Sequence, residues 1–360
     1  MTHLEKRSSL LIVDDTPDNI TVLTGVLSGI YKIRAATSGS KALTICLGAN
    51  PPDLILLDIM MPIMDGFEVC KQLKNDVRLR DIPVIFISAL TETLDKVKAF
   101  TSGGVDYITK PFEPEEVRAR VATHLKLRSY QVYLEELVNE KVREISESQL
   151  STIFALARLS ESRDHDTGAH LERVQSFCRI LAETLCRNEK YRTEIDANFI
   201  RNISNASILH DIGKVSIPDA VLLKPGRLDA QEFSTMKTHT VIGENTLLEV
   251  TRLYPGNSFI TMGAYVARSH HERWDGAGYP DGIAASTIPL AARIMAIADV
   301  YDALRSKRCY KEAMNRDQAQ AIIVQGQGSQ FDPILVDVFK SIESEFDRVW
   351  QSLNSMYAND

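Results

Sequence analysis

Histidines and aspartates recur along residues 166–299 in a pattern able to hold metal ions. They are Asp166 with His170, the pair His210-Asp211 followed by Lys214, a lone His239, the doublet His270-His271, and Asp299. Imidazole nitrogens combined with carboxylate oxygens suit divalent transition metals, and this set exceeds what one ion can use. His210-Asp211 offers a nitrogen and a potentially bridging oxygen from adjacent positions, as wanted where two metals about 3.5–4 Å apart share a carboxylate. The corresponding chemistry is metal-assisted hydrolysis of a phosphate ester. Iron or manganese suits such a His/carboxylate set, and imidazole also accepts zinc, nickel and cobalt.

The spacing constrains how each group is presented. Asp166 and His170 stand four apart, on one face if that segment is helical. His270 and His271 cannot share a helical face, so they reach different ions or sit where a helix ends. His239, within Met-Lys-Thr-His-Thr, also fits a surface helix position. His210-Asp211 ends an apolar helical stretch (Ile203, Ala206, Ile208, Leu209), where burying both groups without a cation carries a large desolvation cost.

A second group lies earlier in the chain: Asp14-Asp15, Asp58, Ser88 and Lys110. Three converging carboxylates repel one another unless a cation joins them, which favours Mg²⁺ held by oxygen. An exposed aspartate can accept a phosphoryl group by nucleophilic attack. Ser88 and Lys110 would then contact the phosphoryl oxygens. Taken singly, each is an ordinary loop carboxylate or surface lysine; together they fall at successive strand ends.

The elements needed to position these groups are legible. Residues 9–125 alternate apolar runs with amphipathic stretches, and 9–13, 31–35, 54–57, 84–88 and 106–109 read as five strands. This predicts an α/β doubly wound, five-stranded parallel sheet, whose functional groups lie beyond the carboxyl ends of its strands. Residues 126–150 form a helical linker: Leu127, Tyr130, Leu134 and Leu137 recur at three- and four-residue spacing without Gly or Pro, extendable to a short parallel coiled coil and a homodimer. Residues 151–360 carry helical periodicity in 150–186, 194–211, 231–250, 257–271, 289–305, 316–325 and 331–355, so an all-α bundle is expected there. The Gly-rich segment from Trp274 to Gly282 breaks it with a loop.

Composition narrows the partners. The 360 residues are 44% hydrophobic and 25% charged, ordinary for globular protein. A formal net charge of −7 argues against binding nucleic-acid polymers or anionic membranes, and residues 126–360 contain no basic helix or zinc finger. No segment approaches the roughly 20 apolar residues that span a bilayer. The N-terminal MTHLEKRSS leads into a strand-like run, so no signal peptide is expected. Cys46, Cys70, Cys178, Cys186 and Cys309 form no C-x-x-C pair and read as buried thiols in a reducing, cytoplasmic setting.

Two resemblances sharpen these expectations. Leu11-Ile-Val-Asp-Asp15, Leu57-Asp-Ile-Met-Met-Pro-Ile-Met-Asp-Gly66 and Thr109-Lys-Pro-Phe112 resemble the receiver domain of two-component response regulators, over roughly a third of the chain. By that resemblance Asp58 is the phosphoacceptor, Asp14 and Asp15 help hold Mg²⁺, Ser88 and Lys110 sense the phosphate, and a sensor histidine kinase supplies it. Tyr107 takes the position of the switch aromatic or is simply a half-exposed strand residue, and Lys110-Pro111 is often cis in the family. His210-Asp211-Ile-Gly-Lys214 and His271-Glu-Arg-Trp-Asp-Gly-Ala-Gly-Tyr-Pro280 resemble the HD-GYP subgroup of HD phosphohydrolases. So do Arg163-Asp164…Thr167-Gly168…His170, His239 and Ala298-Asp-Val-Tyr-Asp-Ala-Leu304, across roughly half the chain.

That family hydrolyses cyclic di-GMP to pGpG or GMP. The resemblance assigns His170, His210, Asp211, His239, His270, His271 and Asp299 as ligands, with Asp211 bridging two metals. Many members carry glutamate where Asp166 stands, so a third metal is in doubt and a binuclear centre favoured. Asp211 and Lys214 would serve catalysis, a metal-activated water attacking the phosphorus while Lys214 neutralises phosphoryl charge. Arg308 and Lys311 could hold the second phosphate or be surface charges. Tyr279 could stack on a guanine or be packed, and its loop is proposed in the family to meet diguanylate cyclase domains. Rival readings keep the metals but prefer pGpG or another cyclic dinucleotide, or make the domain a non-catalytic scaffold.

Overall fold

The structure is a computed structural model describing residues 7–89, 93–164, 169–306 and 313–357. The chain divides into two compact units, Met1–Glu144 and Ile145–Asp360. No helix among the described residues is long and apolar enough to cross a membrane.

In the first unit β1 (Ser9–Val13), β2 (Lys32–Ala36), β3 (Leu54–Asp58), β4 (Val84–Ser88) and β5 (Asp106–Thr109) form a parallel sheet in the order β2-β1-β3-β4-β5. β2 starts one residue later than its apolar run, because the Tyr31 amide still donates to Leu27 carbonyl and closes the preceding helix. Between and after the strands run α1 (Pro17–Leu27), α2 (Gly39–Leu47), α3 (Gly66–Asn75), α4 (Thr93–Thr101) and α5 (Pro114–Glu161). The central strands are buried on both faces, which is why they read as continuous apolar runs. Leu11, Val13, Ile55, Leu57, Val84 and Phe86 join one core; Leu10, Ile12, Leu54, Leu56, Ile85 and Ile87 join the other with Val117 and Val121 of α5. The order reverses between β1 and β3, so the crevice beyond their carboxyl ends is the natural binding position.

The linker helix is part of the uninterrupted α5, and the boundary between the units falls inside it. Leu127, Tyr130, Leu134, Val138, Val142 and Ile145 are all exposed within this chain.

The second unit contains α6 (His170–Leu185), α7 (Ala197–Ala206), α8 (Asp219–Leu222), α9 (Ala230–Leu253), α10 (Ser258–Ser269), α11 (Leu290–Arg305), α12 (Arg316–Gln325) and α13 (Pro333–Tyr357). Its only bridge among the described residues is Gln327–Phe331. One expectation needs correction: the helix predicted through His210-Asp211 stops at Ala206. A 3-10 turn, Ser207–Leu209, follows, and Ser207 hydroxyl donates to Ser204 carbonyl while His210 Nδ1 meets Ser207 carbonyl. Side chains that bond nearby backbone compete with helix continuation.

α6 packs against α7, α11 and α13 around an aromatic core. Phe177 stacks on Phe346 at 4.4 Å, and Tyr301 and Phe339 meet Phe346 edge-on. Charged groups buried nearby are paired: Arg293 binds Asp332 at 2.6 Å, and Tyr191 hydroxyl donates to the same carboxylate. This core holds α6 against α11, the two helices that present His170 and Asp299. Phe346→Ala removes the stacked ring and should cost the second unit about 3–5 kcal/mol, read as a lowered transition by calorimetry of the full chain.

Candidate metal centre

Four buried or half-buried groups converge from three segments of the second unit. Asp211, His239, His270 and His271 each offer a donor atom, all within 4.8 Å of one another. Glu161, His170 and His210 form a second such group, all buried. The Asp211 carboxylate connects them, with Oδ2 3.2 Å from His210 Nε2 and Oδ1 3.2 Å from His239 Nε2 and 3.6 Å from His270 Nε2. Asp299 lies beside the second group, 3.9 Å from His170 Nε2.

The rings are aimed by their other nitrogens. His210 Nδ1 meets Ser207 carbonyl at 2.8 Å, His239 Nδ1 meets Met236 carbonyl at 2.7 Å, and His270 Nδ1 meets Val266 carbonyl at 3.0 Å. A carbonyl only accepts, so each Nδ1 carries the proton and each Nε2 presents a lone pair. His170 is held the same way by a carboxylate: its Nδ1 is 2.7 Å from Asp302 Oδ2, and Arg173 Nη2 holds that oxygen at 2.8 Å. Carboxylate and carbonyl partners behind a histidine are the support that metal-binding imidazoles require.

Inside, the contacts stop. His210 Nε2, His239 Nε2, His270 Nε2 and Asp211 Oδ1 are buried and have no hydrogen-bond partner, although charge contacts lie near. The 3.2 Å approaches are close enough for attraction but not aligned for a hydrogen bond. Several lone pairs facing one another with no donor between them is unfavourable unless a cation joins them. This donor set fits divalent metals.

Electrostatics differ between the two groups. Burial opposes charge on His170, yet Asp302, Glu161 and Asp299 outweigh it and push the imidazolium up to about 10. Burial with His270 as neighbour pushes His271 well below the usual range, leaving a neutral ligand nitrogen. Burial favours protonated Asp211, but Lys214 and His210 hold its carboxyl well below the ordinary value. Lys214 Nζ sits 2.8 Å from Asp211 Oδ2.

His239, which also suited a surface position, is 1% exposed. His270 caps α10 and His271 follows it, so the doublet sits at a helix end, and both residues join one group. Tyr279 packs on His271 at 4.7 Å and edge-on to Phe233 at 6.0 Å, so its ring is part of the wall. Its loop is fastened by Glu272 Oε1, which accepts from the Asp281 amide at 2.7 Å and the Gly282 amide at 3.1 Å. Asp166, Arg308 and Lys311 lie outside the described residues, as does Cys309. Cys46, Cys70 and Cys178 are buried free thiols, whereas Cys186 is only half-buried.

The first unit presents its own site at the β1/β3 crevice. Asp14, Asp15 and Asp58 have oxygens within 4.8 Å of one another. Lys110 Nζ lies between them, 3.0 Å from Asp14 Oδ2 and 3.0 Å from Asp58 Oδ1. Asn19 also donates to Asp14 at 3.0 Å. Burial raises the Asp58 carboxyl, Lys110 lowers it and Asp14 raises it again, with a net upward shift. Ser88 is buried at the end of β4, where its carbonyl accepts from the Lys110 amide at 2.8 Å, and Lys110-Pro111 is cis. Tyr107 is half-buried, edge-on to Phe100 at 6.1 Å. His124 Nε2 lies 3.1 Å from Asp106 Oδ2.

The HD domain description matches residues 141–335, and the response regulator receiver domain matches residues 10–122. A Vibrio cholerae protein named "Probable cyclic di-GMP phosphodiesterase" is 44% identical over 346 residues, 94% of this chain and 78% of its own. "Cyclic di-GMP phosphodiesterase response regulator RpfG" of Xanthomonas campestris pv. campestris is 38% identical over 95% of this chain and 89% of its own length. This chain belongs to the HD-domain cyclic di-GMP phosphodiesterase response regulators. A third relative, "3'3'-cGAMP-specific phosphodiesterase 2" of Vibrio cholerae, is 38% identical over 58% of this chain and 38% of its own length.

Three site residues of this response regulator escaped the sequence reading: Glu161, Asp302 and Arg173. Asp302 stands one turn after Asp299 and Arg173 one turn after His170, so helical spacing from known candidates was the available signal. Gly213 has a different role. A Cβ there would lie 2.0 Å from His239 carbonyl, so only glycine lets the His210–Lys214 turn reach α9. Gly213→Ala should separate the turn from α9 at a cost of about 1–3 kcal/mol, measured by urea unfolding of the full chain.

Proposed function

We propose that this chain hydrolyses cyclic di-GMP, to pGpG or onward to GMP, at the centre built by its second unit. Phosphorylation of Asp58 controls it. The observation that carries the reading is the set of His210, His239 and His270 Nε2 atoms and Asp211 Oδ1, buried together without a hydrogen-bond partner. The curated relatives' names supply the substrate class. Asp211 would serve two ion positions: His170, His210 and Asp299 would complete one, and His239, His270 and His271 the other. Iron or manganese suits this set, with zinc, nickel and cobalt also accepted. A third ion through Asp166 belongs to the same reading but is not needed by it.

Bound divalent metals supply Lewis-acid polarisation of the phosphodiester and acidify water toward neutral pH. The chain's own groups do the rest. Lys214, 2.8 Å from Asp211, brings a positive charge to the edge of the centre, where it neutralises a phosphoryl oxygen as negative charge grows. Asp302, clamped by Arg173, keeps the proton of His170 on Nδ1. Tyr279 walls the His271 side, while Arg308 and Lys311 are available for the second phosphate.

In the first unit Asp58 accepts the phosphoryl group from a sensor histidine kinase. Asp14, Asp15 and Asp58 form the all-oxygen set that Mg²⁺ favours. Ser88 and Lys110 then meet the phosphoryl oxygens, with Tyr107 as the responding aromatic. The segments are a receiver over 1–125, a helical linker over 126–150 and a hydrolase over 151–360. The exposed apolar stripe of the linker supports a homodimer, and the Gly-Tyr-Pro loop supports a contact with diguanylate cyclase domains. The reading places the protein in the cytoplasm.

Anaerobic protein loaded with iron or manganese should convert cyclic di-GMP to pGpG or GMP, resolved by chromatography. His210→Ala and Asp211→Ala should each reduce the rate at least about 100-fold. No product from any metal-loaded protein would remove the phosphodiesterase reading, and faster turnover of pGpG or cyclic GMP-AMP would change the substrate. Acetyl phosphate should alter the rate of the wild type and leave Asp58→Ala unaffected. Equal responses in both proteins would remove Asp58 as the control point.

A further inference from the structure

We propose that Glu161 is a metal ligand of this centre, supplying the carboxylate of the His170/His210 half. The inference rests on the metal-hydrolase reading above and adds a residue to it.

Glu161 is the last residue of α5 and is 8% exposed. Its Oε1 lies 3.5 Å from His170 Nε2, the ring nitrogen left over once Asp302 has taken Nδ1. It therefore faces the coordinating atom of His170, not the anchored one. The donor atoms of Glu161, His170 and His210 all fall within 4.8 Å of one another. The second, independent observation is His210 Nε2: His210 is fully buried, and this nitrogen has no hydrogen-bond partner.

Charge gives the same answer. Asp299 and Glu161 both approach His170 Nε2, at 3.9 Å and 3.5 Å, and Asp211 Oδ2 approaches His210 Nε2 at 3.2 Å. Three carboxylates thus approach two imidazoles, and the nearby Lys214 ammonium engages Asp211 among them. A divalent cation is the species that satisfies all of them at once. The other half of the centre, with His239, His270 and His271, has Asp211 as its one carboxylate in the group. The two halves are thus unequal: one is carboxylate-rich and the other imidazole-rich. The carboxylate-rich half should take the harder ion of a mixed pair.

The test is metal binding, read apart from turnover. Wild type, Glu161→Gln and Glu161→Asp are stripped with chelator and titrated with Mn²⁺. Bound metal is counted by elemental analysis, spin coupling between ions is followed by electron paramagnetic resonance, and melting of the metal-free proteins is recorded. Wild type should hold about two ions per chain with a coupled signal. Glu161→Gln keeps the shape but loses the charge, so it should bind one ion at least about tenfold more weakly and lose the coupled signal. Glu161→Asp should fall between, with metal-free melting near wild type.

Glu161→Gln that binds both ions with wild-type affinity and coupling would overturn the proposal while leaving the hydrolase reading intact. Weakened binding that merely tracks a loss of metal-free stability in both variants would also overturn it. Wild type that binds no transition metal would instead remove the hydrolase reading itself, and the proposal with it.

Discussion

The second unit depends on one constraint: every histidine with an anchored Nδ1 must turn its Nε2 toward the same small volume. Three rings are fixed by the carbonyl of a residue three or four positions earlier, and His170 by Asp302. Carbonyls three or four residues back come into reach where a helix continues or is just ending. This accounts for the position of His270 at the C-cap of α10 and of His210 at the end of a 3-10 turn. Straight helices could not bring His210 and Asp211 to the same centre from adjacent positions, since neighbours on a helix diverge by about 100°. The break after Ala206 resolves this, and Gly213 lets the broken segment lie against α9.

The two units meet a similar electrostatic problem with different means. Beyond β1 and β3, three carboxylates gather around the fixed ammonium of Lys110, which binds two of them. That leaves the Asp58 carboxyl raised by burial and by Asp14, although Lys110 lies 3.0 Å away. In the second unit the carboxylates face imidazoles, and Lys214 sits at the margin on Asp211. A lysine in the middle of that centre would fill the volume that its lone pairs enclose. Rigid support comes instead from behind, where Arg173 is 1% exposed and holds Asp302, the residue that orients His170.

Much of this was legible in the sequence, for identifiable reasons. The strands of the first unit are short apolar runs punctuated by Asp14, Asp58, Ser88 and Lys110, so periodicity and chemistry gave the same boundaries. His170, His210, Asp211, His239, His270, His271 and Asp299 were recognisable by residue type, and the fold brings them together. The orientation of the rings was not legible, because it depends on main-chain carbonyls, which every residue has. Asp302 lies within the Ala298–Leu304 motif, but its role follows only from its hydrogen bond to His170, 132 positions earlier. Helical spacing points to the carboxylate four residues before His170 and not to Glu161, nine residues before it. The chain instead leaves α5, passes through a 3-10 turn at Ser162–Asp164 and starts α6 at His170, so that spacing rule does not apply across the join.

Glu161 meets His170 from the end of α5, a helix that begins at Pro114 and runs without a break. Its backbone is fixed by helix hydrogen bonds, so its carboxylate reaches the centre without a further segment having to be ordered. A loop glutamate would carry that entropic cost, which is why a carboxylate at a helix end suits a position that must also hold its distance from His210.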